Sequence, residues 1–151
     1  MKYVPKGWFY VTAQFLLLIV IALSKGAAKH PPAATLFGAI LFAASIVILV
    51  LAVKELRPSL TALPEPKIDA PLITTGIYGV IRHPMYMAVI MMAIGMSLVH
   101  WSVAAGVETA LLVMVLGFKL RYEDLLLHEK WPEADHYQRS IGALIPKFSS
   151  K

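Results

Sequence analysis

The sequence contains no cysteine and few charged residues. The absence of cysteine excludes disulfide bonds, thiolate metal ligands and cysteine nucleophiles. Charged residues make up 15% of the 151 residues and hydrophobic residues 58%, and the mean hydropathy is +0.70. This composition is far from that of soluble domains. It excludes an ordinary soluble enzyme and predicts a single integral membrane domain over residues 1–151.

The limited charge is predominantly basic. Fourteen lysine and arginine residues outnumber nine acidic ones, which gives a formal net charge of +5. A basic chain can bind nucleic acid, but here the basic residues flank apolar runs and do not cluster on one soluble face. We therefore expect no nucleic-acid partner. The positive charges are typical of those that orient helices in a membrane.

Four apolar runs predict four membrane spans, over residues 8–24, 33–53, 84–100 and 102–121. The second run is the clearest, because it holds about 20 residues without a charge. Its small residues predict a face for close helix packing; they are Gly38, Ala39, Ala43, Ala44 and Ser45. The first run is expected to be a retained helix and not a cleaved signal. The predicted fold is an all-α multispan transmembrane bundle with a C-terminal helical extension and tail.

Lysine and arginine residues predict the orientation of these spans. With four spans, the loop 54–83 and the tail 122–151 lie on the same side as the N-terminus. That side then holds 12 of the 14 basic residues, and only Lys25 and Lys29 lie on the other. Positive residues favour the cytoplasmic side. We expect a multi-pass protein of the cytoplasmic membrane with both termini in the cytoplasm.

Polar residues are predicted to converge at the cytoplasmic ends of the last two spans. Pro84 suits the first position of a helix, so Arg82 and His83 lie where a helix N-terminus offers free backbone donors. The short turn at residues 100–102 makes the two spans an antiparallel hairpin, which returns Glu123 to within a turn or two of Arg82. Such a site suits a zwitterionic ligand with apolar parts. The converging side chains are Tyr78, Arg82, His83, Tyr86, Arg121, Glu123 and Asp124.

Each of these polar groups also has a purely structural interpretation. Arg82 is a candidate anchor for lipid headgroups, and His83 a group that satisfies backbone carbonyls. Glu123 and Asp124 would form a solvated helix face. Glu108 is different, since it falls inside the fourth span, where an acid is costly; we expect it to be protonated or paired with Ser97, Ser102 or Thr109, outside the site.

Three segments resemble a known group of enzymes. The run PEPKIDAPLITTGIYGVIRHPMY is followed one hairpin later by the acidic pair Glu123-Asp124 with three leucines, and then by Leu144-Ile145-Pro146. Together these segments resemble the isoprenylcysteine carboxyl methyltransferase and phospholipid methyltransferase group, over the C-terminal two thirds of the chain. Asp124 stands where that group usually has a second glutamate.

The resemblance implies a small helical membrane protein that uses S-adenosylmethionine without a Rossmann fold. It places the cofactor between the cytoplasmic ends of the last two spans, and it implies catalytic roles for Arg82 and Glu123. No metal is expected. The residues that the resemblance assigns to cofactor binding are Tyr78, Arg82, His83, Pro84, Tyr86, Glu123 and Asp124.

The predicted function is methyl transfer from S-adenosylmethionine to a lipophilic or small acceptor. The acceptor would resemble an isoprenylcysteine carboxylate or a phospholipid amine, and membrane lipids are the expected surroundings. Two alternatives stay open: an NADPH-dependent enzyme of the sterol-reductase type, and a non-catalytic lipid-binding membrane protein. The identity of the acceptor and the oligomeric state are left open by the sequence.

Overall fold

The computed structural model describes residues 7–57, 59–67 and 70–147. The secondary-structure elements within these residues are all helices, and no β-strand is among them. Each predicted apolar run forms a helix within a few residues of its expected ends, except that the fourth helix continues past residue 121 to Lys130, which corresponds to the predicted helical extension. A short 3₁₀ helix, Gly76–Gly79, lies in the loop between the second and third long helices. The α-helices are α1 (Gly7–Leu23), α2 (Pro32–Leu56), α3 (Pro84–His100), α4 (Val103–Lys130) and α5 (Ala134–Ser140).

Local sequence accounts for the helix ends. Pro32 and Pro84 each occupy the first turn of their helix, where the missing N–H has no intrahelical partner. The α3–α4 turn needs only two residues. Trp101 adopts a left-handed conformation (φ 49°) at the end of α3, and the side chain of Ser102 accepts a hydrogen bond at the start of α4. This tight turn makes α3 and α4 the predicted antiparallel hairpin.

Two helices, α2 and α4, are long and apolar enough to cross a membrane by length and composition. Helices α1 and α3 are also apolar but have 17 residues each, which corresponds to about 25 Å at 1.5 Å per residue. Apolar side chains such as Leu36, Phe37 and Ile40 point outwards from α2 and are more than half exposed. Membrane-length helices with apolar outer faces are thus present, as the composition predicts.

Glycine residues allow α2 and α3 to approach closely. A Cβ atom on Gly38 would lie 2.7 Å from the carbonyl oxygen of Gly95, and one on Gly95 would lie 2.7 Å from the carbonyl oxygen of Gly38. The buried residues of α2 are Gly38, Ser45 and Ala52, spaced seven apart on one face. Of the small residues predicted to pack, Ala39 and Ala43 are instead exposed.

A hydrophobic core joins α1, α3 and α4. Ile21 from α1, Ala93 from α3, and Leu112 and Leu116 from α4 are almost fully buried together. Tyr86 lies at the end of this core, where α3 begins. The core therefore fixes the first turn of α3 against α4, which is the region of the predicted site.

Glu108 has a different partner from those predicted. The hydroxyl group of Ser24, just after α1, donates a hydrogen bond to Glu108 Oε2 at 2.5 Å. Ser97 and Thr109 instead bond to each other at 2.7 Å. Our expected pairing of Glu108 within the α3–α4 hairpin was wrong, because Ser24 approaches α4 from the end of the packed helix α1, a contact 84 residues apart in sequence.

Candidate active site

The backbone of Arg82 and His83 is held by a segment from the end of the chain. The amide of Arg82 donates to the carbonyl of Gly142, and that of His83 to the carbonyl of Ala143, both at 2.9 Å. Arg82 Nε also donates to the carbonyl of Ile141 at 3.0 Å. We call residues 141–143 the C-terminal strap. It fixes the two residues before α3 and satisfies donors that precede the helix.

Asp124 on α4 binds both of these side chains with one oxygen atom. Arg82 Nη1 lies 2.6 Å from Asp124 Oδ1, and His83 Nε2 lies 2.8 Å from the same atom. Burial alone would raise the pKa of Asp124, but the hydrogen bonds and charges of His83 and Arg82 outweigh it and lower that pKa. Asp124 is therefore a carboxylate at neutral pH, and it fixes the orientation of the guanidinium and imidazole groups.

Glu123 makes the second contact between the two arms of the hairpin. The hydroxyl group of Tyr86 donates a hydrogen bond to Glu123 Oε2. Glu123 Oε1 lies 3.9 Å from His83 Nδ1. The rings of His83 and Tyr86 are parallel, with centroids 5.3 Å apart. The predicted meeting of the side chains at the start of α3 with those of α4 is thus confirmed. Glu123 contacts Tyr86 and His83, and Asp124 binds Arg82 and His83.

Two tyrosines connect the 3₁₀ helix to α5. The hydroxyl group of Tyr137 donates to the backbone carbonyl of Tyr78 at 2.7 Å, and both residues are buried. Burial is the largest cause that raises the pKa of Tyr78, followed by the charge of Glu123. Burial likewise raises the pKa of Tyr137 above its ordinary value. Both phenols therefore stay neutral across the physiological range, and Tyr137 remains a hydrogen-bond donor.

A cavity lies beside this cluster and opens to the surface of the protein. It contains about 1090 Å³ of space between atoms when the open solvent at its mouth is included. Its walls come from all four long helices, from described loop residues within 59–67 and 70–73, and from Tyr137. Five of the seven predicted cofactor-binding residues line it, namely Tyr78, Arg82, His83, Tyr86 and Glu123.

Pro84 and Asp124 do not line the cavity. Pro84 is buried as the first residue of α3, and Asp124 lies behind Arg82 and His83 as their hydrogen-bond acceptor. The structure therefore differs from the predicted direct cofactor contact at these two positions. Their geometry is that of positioning residues, which hold other side chains of the cavity wall in place.

Lys119 is a cavity residue that the sequence analysis did not assign to the site. Its side chain is 3% exposed, although we counted it only as an orienting positive charge. The Nζ atom donates to Gln14 Oε1 and to the carbonyl of Ala62, both at 3.1 Å. One signal was available, because Lys119 precedes Glu123 by four residues and so shares its helix face. Gln14 gave no comparable signal.

Comparison with known families identifies the chain. The sequence profile described as "Phospholipid methyltransferase" matches residues 33–134, about two thirds of the 151 residues. The chain belongs to the phospholipid methyltransferase family. The family match includes Tyr78, Arg82, His83, Tyr86 and Glu123, and it confirms the resemblance on which the site was predicted. The strap lies beyond the matched range.

One curated relative is a longer protein. The nickel-cobalt-cadmium resistance protein NccN of Alcaligenes xylosoxydans xylosoxydans is 33% identical over 84 residues, which is 52% of this chain and 37% of that protein. The chain thus spans little more than a third of this relative's length. No solved structure matches the chain. Within the described residues, no group of three or more histidine, aspartate or glutamate side chains is arranged to hold a metal ion.

Proposed function

We propose that this family member is an S-adenosylmethionine-dependent membrane methyltransferase that acts on a lipophilic or small acceptor. The observation that supports this most is the wall where α3 meets α4, because Arg82, His83, Tyr86 and Glu123 all line the same cavity there. Family membership supplies the reaction type. The cofactor assignment and the acceptor class are our inference from the side chains of that wall.

The cavity residues fit a zwitterionic nucleoside cofactor. Glu123 is suited to an amino group or ribose hydroxyls, because carboxylates accept strongly from such donors. Tyr78 offers an aromatic ring at the cavity wall, and such rings attract cations and pack against flat rings. Arg82 already donates to Asp124 and Ile141 through Nη1 and Nε. Arg82 therefore contributes fixed positive charge to the wall. A bidentate hydrogen bond from its guanidinium group to a ligand carboxylate would require Arg82 to leave these partners.

Positioning accounts for the proposed chemistry. The cofactor supplies a methyl group on a reactive sulfonium. The protein's part is to hold the two reactants in line and to exclude water, and such positioning can contribute about 7–11 kcal/mol to lowering a barrier. Glu123 is held by Tyr86, and His83 and Arg82 are held by Asp124. The apolar loop side chains Leu63, Leu72 and Ile73 complete the wall and keep water away.

We further propose that α1 to α4 all span the cytoplasmic membrane, with the site at the cytoplasmic surface. Helix α4 has 28 residues, about 42 Å, whereas the hydrocarbon core is about 30 Å thick. Its last two turns, with Glu123 and Asp124, then extend beyond the core. Basic residues concentrate at the same end, which supports a cytoplasmic site with both termini in the cytoplasm. An acceptor from the bilayer would enter past apolar residues of α1 and α3, such as Phe15 and Val89.

Ligand titration tests the proposal. The protein, purified in a neutral detergent, is titrated with S-adenosylhomocysteine and, separately, with NADPH. We expect saturable binding and thermal stabilisation with S-adenosylhomocysteine alone. The variant Glu123→Gln should bind it about tenfold more weakly or worse, because a hydrogen bond to a charged group contributes about 1.5–3 kcal/mol. Glu133→Gln, at an exposed site before α5, is the matched control and should bind normally.

The same titration separates the alternatives. Absence of S-adenosylhomocysteine binding by folded protein would overturn the proposal, and stabilisation by NADPH would favour a reductase. A non-catalytic lipid-binding protein would bind its ligands equally well after replacement of Arg82 or Glu123. Incubation with labelled S-adenosylmethionine and a total lipid extract then identifies the acceptor by the species that gains the label.

A further inference from the structure

Lys119 places a buried positive charge inside the cavity. It lies 16 residues from the start of α4, about 24 Å along the helix, and is 3% exposed. Its ammonium group donates to the neutral oxygens of Gln14 and Ala62. It also lies 5.0 Å from the centre of the Tyr86 ring, within the range of a cation–π contact. Lys119 therefore meets the same ring that positions Glu123.

This ammonium group has no carboxylate partner within the described parts of the chain. Glu123 and Glu65 are the acids whose charges act on it, but neither forms an ion pair with it. Glu123 is occupied by Tyr86, and Glu65 Oε1 accepts from the amide of Gly7. A buried charge without a close counter-charge is costly. An ammonium group also has three donors, and only two have acceptors here.

We propose that Lys119 is a specificity-determining residue, whose ammonium group binds an anionic oxygen of a ligand, a carboxylate or a phosphate. The inference rests on the proposed function, because it assigns a role within the same cavity. The anion has two possible sources, the carboxylate of the nucleoside cofactor and the head group of an amphiphilic acceptor. The cavity as a whole is lined mostly by apolar surface, and attraction between opposite charges is stronger in such surroundings than in water.

A purely structural role for Lys119 would be to tether the loop at Ala62. The chain offers a matched control for that role in Lys130, which is on the same helix. Lys130 donates to the carbonyl of Lys67 in the same loop and lies 4.4 Å from the centre of the Trp131 ring. It is only partly exposed, and it does not line the cavity. Lys130→Met thus removes a tether and a ring contact without removing charge from the cavity.

The test measures the affinity of four probes for wild type, Lys119→Met, Lys119→Arg and Lys130→Met in a neutral detergent. One pair is S-adenosylhomocysteine and its decarboxylated analogue; the other is dodecyl phosphate and dodecanol. Within one pair, Lys119→Met should weaken the binding of the probe that carries the carboxylate or phosphate about tenfold or more. The binding of the probe that lacks this group should be unchanged. Lys119→Arg should retain most of the affinity, and Lys130→Met all of it.

The pair that responds identifies the source of the anion. A response in the nucleoside pair assigns Lys119 to the cofactor carboxylate, and one in the dodecyl pair to the acceptor head group. Equal weakening within both pairs, no weakening in either, or the same effect in Lys130→Met would each overturn the inference. Failure of wild type to bind S-adenosylhomocysteine would instead overturn the proposed function, while the dodecyl pair would still report on Lys119.

Discussion

The contact of Asp124 with Arg82 and His83 should contribute strongly to stability. Asp124→Asn keeps the shape of the side chain but removes its charge. The guanidinium and carboxylate side chains are only 10% and 18% exposed, so solvent screens them weakly. A hydrogen bond to a charged group contributes about 1.5–3 kcal/mol, and here two such bonds share one oxygen and do not add fully. We expect the variant to lose about 2–3 kcal/mol of unfolding free energy.

The control is an ion pair of equal length on the surface. Arg139 and Asp135 on α5 also approach to 2.6 Å, but their side chains are 78% and 42% exposed. Exposed pairs four residues apart on a helix contribute about 0.3–0.5 kcal/mol. Asp135→Asn should therefore have a small effect. Both variants are compared with wild type by reversible unfolding in detergent, followed by tryptophan fluorescence.

The pH dependence gives a second check of the same contact. The pKa of Asp124 in the folded protein lies below its ordinary value of 3.8. Above that ordinary value the group is charged in both the folded and the unfolded state, so its stabilisation is fully present. The difference between wild type and Asp124→Asn should shrink as the pH falls below about that value, where Asp124 becomes protonated first in the unfolded and then in the folded state. Equal effects of Asp124→Asn and Asp135→Asn at neutral pH would refute the reasoning.

Gly95→Ala, with Gly106→Ala as its control, tests the packing of α2 against α3, and Tyr137→Phe tests the hydrogen bond to Tyr78. Gly95→Ala should cost about 1–3 kcal/mol, because its Cβ would meet the carbonyl of Gly38 at 2.7 Å. Gly106→Ala on α4 meets no atom within 4 Å and should be neutral or gain up to about 1 kcal/mol; equal results for the two glycines would contradict close packing of α2 and α3. Tyr137→Phe should lose about 1–1.5 kcal/mol, because it leaves the buried carbonyl of Tyr78 without its donor. The same unfolding measurement checks it, and an unchanged stability would show that the carbonyl finds another donor.

Much of the fold was predictable from the sequence because hydrophobic length and helix-end signals are local. Pro84 indicated where α3 begins, and the pair Trp131-Pro132 stands where α4 ends. The meeting of residues 82–83 with residues 123–124 followed from counting residues along a hairpin with a two-residue turn. The roles of those residues in binding and catalysis stay predictions.

The contacts that the sequence did not predict come from elements far apart in the chain. Lys119 was assigned to the surface because lysines at the end of a span usually reach water, whereas Gln14 and Ala62 enclose it here. Asp124 could not be distinguished from Glu123, since adjacent residues on a helix point in different directions and only the packing of α4 decides which one faces the cavity. The strap had no signal in local composition, because its contacts with residue 82 are made by backbone carbonyls.

The C-terminal strap has a consequence for how the protein is made. A nascent chain that has emerged as far as α4 already carries Arg82, His83 and Asp124, yet it lacks the carbonyls of residues 141–143 that hold them in place. The ribosome must therefore add these residues before the wall can take its final form. Translation order therefore places completion of this wall after the synthesis of all four long helices.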